Sequence, residues 1–496
     1  MLKGLTDAKI LKHLQYISQA PQPIVRIVSF DPKTNKEDTK NTIVLRPSDT
    51  DKEKNILQSY SFKFSTSDTD GSFSLTLYPG NVGIEEIPIF DMIKPLQIVY
   101  IYERDKEAKI PDFVGVINRK KFVAQAGSGL RISVTGKSVA SFISRFKISL
   151  DLNAMSLTNQ MIEQTAINTE LTTALAKENP LLVSTVIKKI WEKTVELAKK
   201  AFKLSNFGLE KYISEYLGSD FLDVEKGLKI KYPLASVFNG QSTINFWDIV
   251  GNIIPYPVYE KYAYINEKGE TKLKIREVPF DCSADGYFST WDNLEKDMTE
   301  LDPAIIKSFD LEISDDEVYT AFFSHIVGSP IDIDKALRLA AQTDGYGANE
   351  VSLYATKADI YGYSPLTISF NGYGKNEKDY KDGGEKLTDF NKRLELWYGH
   401  LDEMFKGTIT LSTIVREQMP MCGEIVSFLG GEFYVNETEH SWSFGGNPET
   451  KLTVSRGGDY STKKFAPLKN ITKRYSIFKK LLETKALFDL NGIKLM

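Results

Sequence analysis

Residues 422–459 read CGEIVSFLGGEFYVNETEHSWSFGGNPETKLTVSRGGD, and they carry the strongest indication of the fold. Glycine pairs separate runs of strand-forming residues, and glycine supplies the positive φ that tight hairpin turns need. The turns are predicted at Gly430-Gly431 and at Gly445-Gly446-Asn447-Pro448. The predicted strands are Gly423 to Phe428, Glu432 to Trp442 and Glu449 to Ser455.

The middle run has the alternation of a half-buried strand. Phe433, Val435 and, after a shift, Trp442 alternate with polar neighbours, as expected when successive side chains point to opposite faces of a sheet. The stretch therefore predicts an antiparallel meander that ends a β-barrel.

Composition limits the classes of protein to consider. The chain has 496 residues, too many for one core, and 42% of them are hydrophobic. Its 62 Lys+Arg against 66 Asp+Glu give a net charge of −4, without a global nucleic-acid signal. Two cysteines, Cys282 and Cys422, exclude a disulfide framework and suit assembly in a reducing cytoplasm. The sequence lacks a signal peptide's apolar core and any run of about 20 apolar residues, so we expect no membrane insertion.

Outside the meander, strand-like segments dominate and helical patterns interrupt them. Six or seven strand-like runs with period-2 alternation precede residue 138, and further runs follow residue 255. Asn179-Pro180 opens the clearest helical pattern between them. Shorter helical patterns follow from Ser242 to Ile254, from Leu337 to Ala341 and from Lys386 to Phe405. We predict an N-terminal helix (1–22), a first β-barrel domain (23–137), a helical insert (138–240), a second β-barrel domain with helical insertions (241–459) and a basic helical tail (460–496). The tail either docks on a partner or packs on its own chain.

No motif indicates catalysis, a metal site or a cofactor site. The histidines are His13, His325, His400 and His440, and none has metal-ligand spacing to another His or Cys. His440 is predicted to be a structural strand residue. Gly136-Lys137-Ser138 resembles part of a P-loop, but Arg131 stands where that loop needs glycine. A strand-to-helix turn with Gly136 at its corner is the better interpretation.

Acidic and aromatic clusters offer weaker alternatives. Asp68, Asp70 and Gly71 resemble part of a calcium loop, but a hairpin turn explains them better. Asp315, Asp316 and Glu317 are candidate carboxylates for glycan hydrolysis, which needs two of them at a defined separation, or simply a turn between strands. A group of tyrosines suits sugar stacking or, as we favour, an interface or loop packing: Tyr346, Tyr354, Tyr361, Tyr363 and Tyr373.

Four motifs in order resemble one known family, the phage baseplate hub proteins (gp27-like and late-control-D-like). DFVGVINRKKF is similar to the family's F-x-G-x-I strand pair, VTGKSVASFISR to its T-G turn before a helix, and SDDEVYTAF to the opening of its second barrel. The meander resembles the family's C-terminal signature. The matching residues are Phe433, Tyr434, Val435, His440, Trp442, Gly445, Gly446, Thr450, Leu452, Arg456 and Gly457. The insert after residue 150 and the basic tail depart from the pattern.

The resemblance implies a mainly β fold with helical insertions (α+β) and two tube-like antiparallel β-barrel domains per chain. It implies a homotrimeric structural hub in the tail baseplate of the virion, assembled in the host cytoplasm. This ring would join the tail tube protein to the spike protein, contact other baseplate proteins and, as a further candidate, the tape measure protein, and let DNA pass through its lumen without specific binding. The alternatives are a tail-associated cell-wall or glycan-degrading enzyme and the equivalent hub of a bacterial contractile injection system.

Overall fold

The structure is a computed structural model that describes part of the chain. Several predicted features lie outside the described residues: the N-terminal helix, Leu337 to Ala341, Tyr346, Tyr373 and the start of the Asn179-Pro180 helix. The described residues are 23–31, 34, 36–47, 56–67, 70–82, 87–103, 109–125, 129–141, 147–149, 187–188, 190–192, 194–196, 199, 216–224, 243–253, 259–278, 281–282, 288–289, 298–301, 305–326, 349–370, 387–412, 420–460, 465–477 and 479–480.

The first β-rich region contains the strands β1 to β11 and one short helix. Most strands alternate buried and partly exposed side chains, as in the iBiBiB pattern of the sixth strand. The elements are β1 (Ile24–Val28), β2 (Phe30–Asp31), β3 (Lys36–Glu37), β4 (Ile43–Leu45), β5 (Leu57–Ser65), β6 (Ser72–Leu77), β7 (Asn81–Val82), β8 (Ile87–Pro88), α1 (Ile89–Met92), β9 (Ile98–Tyr102), β10 (Phe113–Gln125) and β11 (Gly129–Ser138).

The middle of the chain adds smaller elements. The described residues between 187 and 199 are helical, and Ile187, Ile190 and Trp191 are buried there. The elements that follow the first region are β12 (Lys147–Ser149), a 3-10 helix (Ser219–Phe221), β13 (Leu222–Val224), β14 (Thr243–Asn245), α2 (Phe246–Ile253), β15 (Tyr259–Ile265), β16 (Thr271–Glu277), β17 (Asp281–Cys282) and β18 (Phe288–Ser289).

The last region returns to long strands and ends in the meander. Its elements are β19 (Met298–Glu300), β20 (Ile306–Glu312), β21 (Ala321–Ile326), β22 (Asn349–Leu353), α3 (Ala355–Tyr361), β23 (Pro365–Phe370), α4 (Leu387–Gly399), a 3-10 helix (Leu401–Glu403), β24 (Phe405–Ser412), β25 (Ile425–Phe428), β26 (Gly431–Ser443) and β27 (Glu449–Gly458).

A 13-stranded sheet joins the two β-rich regions. Its order is β20-β24-β27-β26-β5-β6-β11-β10-β9-β1-β4, and β25 and β19 extend it beside β26. The junction is the antiparallel pair of β5 and β26, in which Phe62 lies opposite His440 and Tyr60 opposite Trp442. Their rings stack across the junction, at 4.5 Å for Phe62 with His440 and 5.8 Å for Tyr60 with Trp442. The regions predicted as separate barrels thus share one hydrogen-bonded sheet.

Smaller sheets and two apolar clusters complete the architecture. The sheet β13-β16-β15 lies beside β5, and β22-β21-β23 packs against α4. The larger cluster runs from the first region through the helical residues around Trp191 to Trp397, and the smaller one fills the space under the meander around Val435 and Leu452. Among the described residues, none of the helices has the length and apolar character needed to cross a membrane.

The mainly β fold with helical insertions is confirmed. The meander is confirmed as well, since β25, β26 and β27 coincide with the three predicted strands. Gly430 and Gly445 have φ of 70° and 79°, as the predicted turns require. The short helix before Pro255 is present as α2. The predicted helix from Lys386 to Phe405 ends earlier, because α4 stops at Gly399 and Phe405 begins β24.

The predicted turn at Gly136 is wrong. Gly136 lies inside β11, paired with Ile117 of β10 and Phe73 of β6. A Cβ there would approach the Val116 carbonyl oxygen to 2.1 Å and the Phe73 ring to 2.4 Å. The glycine is therefore needed for close packing of strands and an aromatic ring, not for a change of chain direction.

The start of the C-terminal tail packs on its own chain. Asp459 and Ala466 form an isolated antiparallel bridge, and Leu468 is buried in the cluster under the meander. Residues 471–477 are helical. Arg474 donates hydrogen bonds to the carbonyl oxygens of Leu429 and Gly430, at 3.2 and 2.6 Å. This favours the second of the two alternatives for the segment up to Arg474.

Candidate assembly surface

The hairpin of β10 and β11 extends beyond the strands on either side of it. β9 pairs with β10 only from Phe113 to Val116, and β6 pairs with β11 only from Ile132 to Lys137. Past these points the two strands pair, among the described strands, only with each other, to Gln125 opposite Gly129. A register shift between Ile117 and Arg119 marks the exit from the sheet, where a bulge bends and twists a strand. We call residues 118–125 and 129–131 the arm.

One face of the arm is basic. Directly opposed residues of an antiparallel pair share a face of the sheet. Arg119 lies opposite Thr135, Lys121 opposite Ser133, and Arg131 opposite Val123. Arg119 and Lys121 are exposed, and within the described part of the chain neither is in an ion pair. Three cations thus share one face.

The other face of the arm is apolar and partly supported. It contains Phe122 opposite Ile132 and Ala124 opposite Leu130. Phe122 stacks on Phe90 of α1 with ring centroids 3.9 Å apart, and Lys120 Nζ lies 4.1 Å from the same ring. Phe122 and Leu130 nevertheless remain 50% and 45% exposed. The arm is therefore held at its base and open to solvent on both faces.

An acidic edge lies at one end of the sheet. β20 pairs only with β24 in the described residues, so its other side presents unpaired backbone groups. Asp310 and Glu312 are exposed on this strand. The turn that follows contains exposed Asp315, Asp316 and Glu317. We call residues 308–317 the acidic edge.

The predicted acidic candidates are thus surface residues of a turn. Asp316 accepts a hydrogen bond from Ser314 and lies 4.0 Å from Lys406 Nζ. Asp315 and Glu317 are exposed, without the apolar surroundings that prepare a carboxyl group to act as a general acid. The second interpretation of these residues, a turn between strands, is the observed arrangement.

Of the calcium-loop candidates, Asp68 lies outside the described residues, while Asp70 and Gly71 lie in the hairpin between β5 and β6. Asp70 is buried and its Oδ2 accepts a hydrogen bond from Lys137 Nζ at 2.8 Å. Gly71 has φ of 56°, which suits a hairpin turn. In the described residues no three His, Cys, Asp or Glu side chains are placed together to hold a metal ion.

The described tyrosines of the predicted aromatic group lie around α3. Tyr354 precedes the helix, while Tyr361 and Tyr363 are 37% and 60% exposed and Ile360 is 69% exposed. Lys357 fixes the helix from its buried side, since its Nζ lies 2.6 Å from both carboxylate oxygens of Asp402. Burial opposes the charge of Lys357, but Asp402 and Glu403 outweigh that effect and raise its pKa. This firmly anchored helix offers an exposed apolar surface, as the interface interpretation expects.

His440 lies in the junction between the two β-rich regions. It is 2% exposed, its Nδ1 lies 3.1 Å from Thr450 Oγ1, and it faces buried Glu103. Tyr60 donates a hydrogen bond to Glu103 at 3.1 Å. His440 lies in β26, as the predicted strand residue, and its contacts with Thr450, Phe62 and Glu103 suit a structural role.

A second buried polar group ties the β15–β16 sheet to the meander. Arg276 Nε donates to Glu260 Oε1 at 2.5 Å, and Tyr434 donates to the other oxygen of Glu260. Burial alone would lower the pKa of Arg276, but Glu260 raises it well above its ordinary value. Arg276 also donates to the Gly423 carbonyl oxygen. Arg276 and Glu260 compensate each other's buried charge, as the two members of a structural ion pair must.

A cavity of about 820 Å³ lies between the end of β9 and the β15–β16 turn. Tyr100, Tyr102 and Tyr216 line it together with Thr271 and Lys272. Asp315 and Glu317 are not among its lining residues, so the carboxylates considered for hydrolysis do not face it.

The sequence contained a signal for both charged surfaces. Residues 113–138 include Arg119, Lys120, Lys121, Arg131 and Lys137 but no acidic residue, and residues 308–324 include five acidic residues but no Lys or Arg. The alternation of a strand predicts which side chains are buried. It does not show that the exposed side chains of one strand are all basic and those of another are all acidic.

Comparisons with known proteins gave structural matches only. No protein-family model matches the chain, and no curated protein matches it. A tail protein from Neisseria meningitidis MC58 is similar at TM-score 0.42 and 12% identity, covering 89% of this chain and 99% of that one. The prophage MuSo2 tail protein from Shewanella oneidensis is similar at TM-score 0.45 and 12% identity, covering 88% and 98%.

A third similar structure is an Escherichia coli component of the type VI secretion system, described as structurally similar to the T4 bacteriophage tail proteins gp27 and gp5. It matches at TM-score 0.32 and 8% identity, covering 84% of this chain and 77% of that one. All three TM-scores lie below 0.5, so function has to be inferred from the residues of this chain.

Proposed function

We propose that the chain is a structural hub of a contractile-type phage tail. In this proposal a trimeric ring joins the tail tube to the central spike and leaves a lumen for DNA. The observation that carries it is the position of the hub-like C-terminal motif. Two of its residues, His440 and Trp442, stack on β5 at the junction of the two β-rich regions, and the others lie in the meander and its turns.

The contacts of this motif are structural ones. Trp442 and His440 stack on β5, as described above. The Arg456 guanidinium lies 3.3 Å from the centre of the Trp397 ring and donates to the Trp397 carbonyl oxygen at 2.9 Å. A Cβ on Gly457 would lie 2.2 Å from the Phe433 ring. The residues that resemble the hub signature are thus those that a two-region β fold of this kind needs.

The surface also suits assembly. An unpaired strand edge is a template for another chain, and a closed ring leaves none exposed. The acidic edge supplies such a strand, the arm protrudes from the sheet, and α3 exposes apolar side chains. Tube, spike, other baseplate proteins and, as a further candidate, the tape measure protein are the partners we propose.

A non-enzymatic role is part of the proposal. The carboxylates considered for hydrolysis lie exposed in a turn, so the structure adds no support for the glycan-degrading alternative. The hub of a bacterial contractile injection system has the same mechanical role, and capsid and terminase genes beside this one would indicate a phage.

Deletion of the gene from its cluster tests the proposal. We expect the deletion to abolish attachment of the spike to the tube, with rescue by the wild-type gene, and mass spectrometry of wild-type particles to detect this chain in a threefold complex. Wild-type particles that lack the chain, or deletion particles of normal form, would overturn it.

A further inference from the structure

We infer that the arm of one copy docks on the acidic edge of the next copy, so that the chain assembles head to tail. This inference rests on the proposed ring-forming function and names its contact. The arm and the acidic edge belong to different strands of the same sheet, separated in its order by β24, β27, β26, β5 and β6. Each copy can therefore bind one neighbour through its arm and a second neighbour through its acidic edge.

Charge complementarity is the first argument. The arm presents Arg119, Lys121 and Arg131 on one face, and the acidic edge presents Asp310 and Glu312 on its strand. In the described residues Arg119, Lys121, Asp310 and Glu312 form no ion pair, although Lys406 of β24 lies opposite Glu312 in the register and 4.0 Å from Asp316. Opposite potentials of this kind steer association and fix its register.

Each surface also has an exposed apolar residue among its charges. Val123 lies on the basic face of the arm and is 37% exposed. Ile313 follows Glu312 at the acidic edge and is 47% exposed. Contact between them would remove apolar area from water at the centre of a charged rim, the usual arrangement of a protein interface.

The edge strand adds a hydrogen-bonding argument. Among the described residues β20 has a strand partner on one side only, and an edge of this kind can pair with another chain. A guanidinium group laid against a strand edge can donate to carbonyl oxygens and to carboxylates.

The rotation between neighbouring copies determines whether the assembly closes into a ring. Contacts between two different surfaces are heterologous, and they generate a ring when the rotation between neighbours closes and a filament when it does not. Each arm in a ring would have an acidic edge to bind. A ring therefore leaves neither the basic face nor the acidic strand exposed.

Charge reversal tests the contact. The arm variant is Arg119→Glu with Lys121→Glu, the edge variant is Asp310→Lys with Glu312→Lys, and the combined variant carries all four changes. Sedimentation velocity measures self-association of the full chain. We expect wild type to associate more weakly as salt rises, and each two-residue variant to associate at least about tenfold more weakly.

The combined variant and the mixture are the decisive samples. In the combined variant an acidic arm meets a basic edge, so self-association should recover. A mixture of the arm variant with the edge variant has two complementary contacts, one with wild-type charges and one with reversed charges, so it should associate in alternating order and more strongly than either variant alone. Lys94→Glu with Lys188→Glu, two exposed lysines elsewhere, is the matched control and should associate like wild type.

Three results would overturn the inference. The first is a wild-type chain that stays monomeric at about 100 μM, well above the Kd expected of a specific interface. The second is arm and edge variants that associate like wild type, and the third is a combined variant that associates no more strongly than either two-residue variant. Circular dichroism confirms that each variant is folded. Since the proposed function is tested by particle composition and gene deletion, the two can fail independently.

Discussion

Nδ1 of His440 lies 3.4 Å from Oε2 of Glu103, and both side chains are almost completely buried, at 2% and 1% exposure. His440 comes from β26, and Glu103 follows the end of β9. The contact therefore links the C-terminal meander to the first β-rich region through the interior of the sheet. Tyr60 shares the same carboxylate, so Glu103 holds two strands of the junction at once.

Removal of the Glu103 carboxylate should loosen this junction. Glu103→Ala leaves the Tyr60 hydroxyl without this acceptor, and we expect it to lower the free energy of unfolding by about 1–3 kcal/mol. Glu103→Gln keeps an acceptor and should cost less. Urea unfolding followed by circular dichroism and by tryptophan fluorescence measures both.

The matched control is an ion pair at the surface of the same junction. Lys63 Nζ lies 3.2 Å from Glu437 Oε2, and these side chains are 40% and 27% exposed. Because water screens such pairs, Glu437→Ala should cost less than about 1 kcal/mol. Equal losses for Glu103→Ala and Glu437→Ala would show that burial at the junction adds nothing.

Gly136→Ala should be destabilising although it is a small change inside a strand. The added methyl group would lie against the Val116 carbonyl oxygen and Phe73, and overpacking of this kind costs about 1–3 kcal/mol. Gly446→Ala is the control, since its nearest neighbour would be the Ser443 oxygen at 3.3 Å. The difference in thermal midpoint between the two variants is the measurement, and a Gly136→Ala protein as stable as Gly446→Ala would contradict the packing.

Leu468→Ala should weaken the cluster under the meander. Leu468 is 8% exposed, and truncation of a buried leucine costs about 2–5 kcal/mol. Ile477→Ala, at a residue that is 53% exposed, should stay within about 0.5 kcal/mol of wild type. Truncation after Asp459 should lower the thermal midpoint at least as much as Leu468→Ala. An unchanged midpoint would mean that the tail does not support the core.

His400 should make stability depend on pH. Burial lowers its pKa, and the nearby Glu403 carboxylate opposes this only in part. The unfolded chain therefore binds the proton more tightly, so stability is lost as pH falls through the unfolded value of about 6.5 towards the lower folded value.

His400→Gln cannot take up this proton and should lose less stability between about pH 7 and pH 5. The expected difference in slope is at most one proton, or about 1.4 kcal/mol per pH unit. Thermal midpoints of both proteins across this range are the measurement. A steeper acid loss in His400→Gln would reverse the sign and contradict the assignment.

Local patterns in the sequence predict the strands well where turn chemistry and alternation agree. The meander is the clearest case, because glycines with positive φ stand between alternating runs. The Gly136 prediction failed for a physical reason: its glycine is required by Val116 and Phe73, and a contact with another strand has no local pattern.

The assembly surface was only partly predictable. The strands of the arm and the exposed turn after the acidic edge follow from their sequences. The role of these segments in assembly depends on the order of strands in the sheet. The arm is free because β6 and β9 end early. β20 is an edge strand because no described strand pairs with its other side. The link between Lys63 and Glu437, 374 residues apart, has no local signal either.

The pairing of β5 with β26 also sets the order of events on the ribosome. β5 emerges early, but its partner is synthesised 374 residues later, on the order of 20–75 s at ordinary translation rates. During that interval the edge of β5 and the rings of Tyr60 and Phe62 lack their cover. The nascent chain is then exposed to strand-to-strand aggregation, so its yield should depend on chaperones that shield this edge until translation passes Ser443.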